Sequence, residues 1–109
     1  ITVAIASNSF DDSRGRATNY MIDLSAGSGG QITNNWFVQG ADKENYSTFI
    51  AVAPEAQWHS SADLQVAGND ARFATGVDRN AVFVRDWSGD MSGIGDNALD
   101  RRLTAFARQ

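Results

Sequence analysis

Apolar residues fall in short runs broken by polar turn formers, and the runs return in a fixed order along the chain. One six-residue phrase has an apolar residue, two variable ones, Asn, one more residue and a second apolar position. It reads Ile5-Ala-Ser-Asn8-Ser-Phe10, then Ile32-Thr-Asn-Asn35-Trp-Phe37, then Val66-Ala-Gly-Asn69-Asp-Ala71, where Phe73 can supply the missing bulk. A fourth copy is Ile94-Gly-Asp-Asn97-Ala-Leu99, and the Asn positions lie 27, 34 and 28 residues apart. A second, alternating phrase follows each of the first three Asn residues: Tyr20-Met-Ile-Asp-Leu24, Thr48-Phe-Ile-Ala-Val52 and Asn80-Ala-Val-Phe-Val84. Alternation over four to six residues predicts strands, and two phrases that keep their order through three passes predict a repeat architecture.

The physical reading is all-β: a solenoid of about four coils, each with two or three short strands, stacked at about 4.8 Å. Equivalent residues of successive coils then form ladders. An Asn amide both donates and accepts, so Asn8, Asn35, Asn69 and Asn97 can bond to one another along the axis at a turn. Ile5, Ile32, Val66 and Ile94 would form one inward stack, and Phe10 and Phe37 the next. The plainer alternative is an antiparallel sandwich whose strands contain Asn turns.

Residues 1–109 read as a single domain, with coils over 1–96 and a short capping helix over 97–109. Leu99, Leu103 and Phe106 fall at helical spacing there, with Asp96 or Asn97 placed as N-cap and Arg101, Arg102 and Arg108 downstream. That helix competes with Asn97 as a true fourth repeat, and both readings stay open. Ile1-Thr-Val-Ala-Ile5 begins directly as a strand with no cap and no signal-like segment. The expectation is a piece of a longer solenoid, or a chain that abuts another.

Composition narrows the classes. Of 109 residues 16 are Ala, and only 23 are Ile, Leu, Val or Phe, with ten Gly and one Pro. Few large apolar groups among many turn formers favour short strands over a helical bundle. A net charge of −4 gives no basic footprint for nucleic acid, and no apolar run is long enough for a membrane-spanning helix. The chain has no Cys, which excludes disulfides and thiolate-held metals.

The Ile-x-x-Asn-x-Phe spacing, with a second strand about 14 residues later, resembles the right-handed parallel β-helix superfamily over residues 1–99. Pectate-lyase-like enzymes, polysaccharide epimerases and phage tailspikes belong to it, and autotransporter passengers use the fold as a stalk. The resemblance implies a polysaccharide ligand on the lateral face. It implies an extracellular or virion-associated setting, and a homotrimer or the remainder of a longer chain as further partners. The repeats belong to the scaffold, so the resemblance assigns no functional residue.

Glycan hydrolysis needs two carboxylates about 5–9.5 Å apart. Aligning Ile22, Ile50 and Val82 sets Asp86 opposite Pro54, Trp87 opposite Glu55 and Asp90 opposite Trp58. Glu55 and Asp86 become a candidate catalytic pair on adjacent coils. Trp58, His59, Trp87 and Asp90 become the candidate substrate-binding residues, since flat indole faces suit sugar rings. The competing reading makes them solvated turn residues. A lyase would instead use carboxylate-bound calcium and a base. Asp11-Asp12 with Arg14 and Arg16, and Asp42-Lys43-Glu44, hold those residue types without a metal-loop pattern, so no metal or cofactor is expected. Gly27-Ser-Gly-Gly30 lacks the Lys-Ser/Thr of a phosphate loop and reads as a turn between coils. The leading function is a polysaccharide-binding or depolymerising β-helix module. A structural stalk or tail component and a small non-catalytic lectin-like protein are the alternatives.

Overall fold

Three of the four ladder Asn residues follow a turn residue with left-handed backbone. Ser7, Asn34 and Gly68 have φ of 58°, 57° and 69°, and directly precede Asn8, Asn35 and Asn69. The turn ends one strand and starts the next two residues later, so strands come in pairs. The computed structural model describes residues 1–14, 20–41 and 46–109. Its strands are β1 (Thr2–Ala6), β2 (Ser9–Asp12), β3 (Ile22–Leu24), β4 (Gly29–Thr33), β5 (Trp36–Gln39), β6 (Thr48–Val52), β7 (Leu64–Ala67), β8 (Asp70–Phe73), β9 (Ala81–Asp86), β10 (Ala98–Leu99) and β11 (Leu103–Arg108). Among the described residues the chain is all-β, without a helix. Arg16 and the Asp42-Lys43-Glu44 cluster lie outside the described residues.

Three sheets form, in the orders β1-β4-β7, β2-β5-β8-β10 and β3-β6-β9-β11, and every pairing is parallel. From β1 to β9 the chain visits the three sheets in rotation, and β10 and β11 then add to the second and third, so each strand lies on the equivalent strand of the preceding circuit. Ile5 pairs with Ile32 and Ile32 with Val66, while Phe10 pairs with Phe37 and Phe37 with Ala71. Ile94 packs partly buried against the core, and the following Gly95 N–H donates to the Val66 carbonyl.

The Asn residues meet as their spacing predicts. Asn35 Oδ1 accepts from the backbone N (2.9 Å) and Nδ2 (3.2 Å) of Asn8. Asn69 Oδ1 accepts from the same two atoms of Asn35 at 2.8 and 3.0 Å, and Asn97 Oδ1 from those of Asn69 at 3.0 and 2.9 Å. Each Nδ2 also donates to a carbonyl of the preceding circuit: Asn35 to Ile5, Asn69 to Ile32 and Asn97 to Val66. The amides satisfy one another where the sheets turn and backbone groups would otherwise lack partners.

Phenylalanines fill the space between the sheets. The Phe10 and Phe37 rings stack with centroids 4.9 Å apart and planes 8° from parallel. Phe37 meets Phe83 edge-on, and Phe49 meets both Phe73 and Phe83 in the same way. Each buried ring contributes about 1.5–3 kcal/mol. Consecutive residues Phe49-Ile50 and Phe83-Val84 all belong to this core, so the strict in–out alternation breaks within β6 and β9.

Three expectations are corrected. Residues 97–109 form no capping helix, but strands β10 and β11. Leu103 pairs with Ala81 and Phe106 with Val84, so the segment covers the edge of β9, whose backbone groups outweigh the local helical spacing. Ile50 lies opposite Val84 rather than Val82, a two-residue slip in the alignment, and Asp86 lies opposite Val52. Gly29 and Gly30 belong to β4 rather than to a turn.

Asp100 shapes the turn into β11. Its Oδ1 accepts from the Arg102 backbone N at 3.0 Å and Nε at 3.1 Å, and its Oδ2 accepts from Nη2 at 3.1 Å. These bonds hold the carboxyl at about 2, below its ordinary 3.8. The ionised form is therefore favoured in the folded state. Its stabilisation is present above 3.8 and fades as pH falls through about 2. Urea unfolding across that window should show wild type losing its advantage over Asp100→Asn; a constant gap would contradict this.

Candidate functional site

An open groove of about 510 Å³ runs along the β1–β4–β7 sheet. Thr2, Gly29, Gln31 and Gln65 come from the sheet, and Trp58, His59, Ser60 and Asp63 form a wall from the segment between β6 and β7. The sheet residues face out because their neighbours face in. Gln31 and Gln65 directly precede the buried Ile32 and Val66, and alternation sends them to solvent. In register, Ala4, Gln31 and Gln65 form one exposed row. Neither glutamine amide is bonded within the described residues.

The wall is held from both sides. The backbone N–H groups of Glu55 and Ala56 donate to the Ser25 carbonyl, and that of His59 donates to Ala26. Gly27 makes this approach feasible: its φ is +86°, and a Cβ there would sit 2.3 Å from the His59 carbonyl oxygen. From the other side, Asp90 accepts from Ser60 Oγ at 2.9 Å and the Ser61 N–H at 3.2 Å. The Ser88 hydroxyl, followed by that of Ser60, keeps the Asp90 carboxyl below its usual range despite partial desolvation. Gln57 Nε2 donates to the Trp87 carbonyl at 3.3 Å. So anchored, the segment presents Trp58 with 82% of its surface exposed.

The expected site residues divide accordingly. Trp58 and His59 line the groove, and Asp90 braces the segment that carries them. Trp87 is half-buried, its ring 6.2 Å from Tyr20 and tilted to it. Glu55 is exposed in the same segment as Trp58. Asp86 is 0% exposed. Its Oδ1 accepts from the Ser88 backbone N at 2.7 Å, and its Oδ2 lies 4.0 Å from Arg108 Nε. With Asp86 opposite Val52, the geometry that made it a diagonal neighbour of Glu55 no longer holds. Comparison with protein-family models, curated proteins and solved structures finds no match.

Sequence reasoning missed Gln31, Gln65, Thr2 and Asp63. For Gln31 and Gln65 the signal was present, since the residue before each inward Ile or Val of the Asn phrase must face out. None of the nine Lys and Arg residues falls in β1, β4, β7 or residues 53–63. The groove is therefore built from amides, hydroxyls, one imidazole, one carboxylate and the apolar Ile1 around an exposed indole. Such a surface can stack on a flat apolar ring face and hydrogen-bond to hydroxyls around its edge.

Proposed function

We propose that the three sheets are the sides of a right-handed parallel β-helix, and that the groove on its β1–β4–β7 side binds a polysaccharide. The rotation of the chain through parallel sheets and the Asn ladder support the first part. Crossovers between parallel strands of one sheet are right-handed in about 98% of cases, which gives the hand. The observation that carries the second part is Trp58, 82% exposed on the rim of a groove floored by unbonded amides. A bare indole in water costs solvation free energy, and a pyranose face stacked on it would recover that cost. The reading is binding rather than cleavage through Glu55 and Asp86, because the buried Asp86 carboxylate has no open side for a glycosidic oxygen. It goes with a setting outside a cell or on a virion.

Trp58→Ala should weaken glycan binding about tenfold, or about 1.4 kcal/mol, while leaving the melting temperature nearly unchanged. Affinity electrophoresis and a thermal melt check both halves. Unchanged binding would remove Trp58 from the site and the proposal with it.

A second reading is a structural module. β1, β2 and β3 are the outer strands of their sheets on one side, where further parallel strands could pair. A protein that binds no glycan at all would favour this reading.

A further inference from the structure

We infer that the groove selects an uncharged glycan and rejects polyuronates and sulfated chains, an inference that rests on the glycan reading above. The floor offers Gln31 and Gln65 in register on adjacent strands, about 4.8 Å apart. Each amide presents a donor and an acceptor side by side, matching a pair of neighbouring sugar hydroxyls, which likewise donate and accept. Two stacked amides therefore meet successive sugars of a chain laid along the stack. Among the described residues, no Lys or Arg side chain lines this groove, and the His59 imidazole is the one lining side chain that can complement negative charge. Sheet strands and wall contain no Lys or Arg, whereas Glu55 and Asp63 are exposed in the wall segment and Asp90 is ionised behind it. A uronate or sulfate would lose hydration on entering and meet mainly like charge, with one imidazole to offset it. Among the described residues, Arg72 is exposed on β8 and paired with Asp70, and Arg85 and Arg108 lie on β9 and β11.

The test uses the intact chain against immobilised dextran, mixed-linkage β-glucan and chitin oligosaccharides as neutral probes, with polygalacturonate and heparin as acidic ones. At least one neutral probe should bind about tenfold or more tighter than either acidic probe, with little response to salt. The double variant Gln31→Lys/Gln65→Lys changes only exposed side chains, and an unchanged melt would confirm its fold. It should gain about tenfold in polygalacturonate binding and lose that gain in high salt. If wild type binds an acidic probe as tightly as any neutral one, the selectivity is wrong and the glycan site stands. If wild type binds none of the five, the glycan reading falls, and this inference with it.

Discussion

Asn69→Ala should lower the free energy of unfolding by about 3 kcal/mol or more, against a total of about 5–15 kcal/mol for a domain of this size. Asn69 is 1% exposed and its amide joins three circuits. Truncation leaves the Asn35 backbone N–H and Nδ2 without their shared acceptor, and removes the donor to Ile32 and Asn97. Each buried polar group left unbonded costs about 1–3 kcal/mol. Asn69→Asp would not rescue it, because the acceptor returns as a buried charge and the donor is lost. Asn8→Ala should cost about 1 kcal/mol or less, since Asn8 is exposed and its own N–H keeps the Asn35 acceptor. Urea midpoints for the three variants check the ranking. Equal losses at Asn8 and Asn69 would mean that the ladder does not carry the stack.

The second large effect is expected at Gly30, where Ala should cost about 3 kcal/mol and detach β1 from β4. Gly30 has φ +109°, and a Cβ would sit 1.9 Å from the Val3 carbonyl oxygen and 2.7 Å from the Val3 nitrogen. Both are backbone atoms of the strand it pairs with, so no side-chain rotation relieves the overlap. Gly29→Ala is the matched control. Its added methyl meets nothing closer than 3.8 Å, so a change within about 0.5 kcal/mol is expected. Amide exchange should show the β1 amides losing protection in Gly30→Ala and keeping it in Gly29→Ala. Protection kept in both would contradict the close approach.

The scaffold was legible where one residue type recurred. Asn8, Asn35, Asn69 and Asn97 announced the ladder because a stacked amide has few substitutes, and that anchor also fixed the Ile5–Ile32–Val66 register. The second phrase carried no such anchor. Thr48-Phe-Ile-Ala-Val52 and Asn80-Ala-Val-Phe-Val84 can be overlaid two residues apart with the same faces, and local pattern cannot choose between them. The choice is made by packing, with Phe49 and Phe83 both entering the core beside Ile50 and Val84. Residues 97–109 were misread because Leu99, Leu103 and Phe106 also satisfy helical spacing, while the unpaired edge of β9 is invisible in a local window. The same slip displaced the site. Trp58 and His59 stood out as unusual residues, whereas Gln31 and Gln65 are ordinary ones whose meaning comes only from stacking in register.

The most direct measurement is a nitrogen–proton NMR titration of the labelled chain with the neutral glycan that binds best. Shifts are expected at the Trp58 indole N–H and the Gln31 and Gln65 side-chain amides, with β8, β9 and β11 unmoved. Shifts confined to those other strands, or none at saturating glycan, would contradict this.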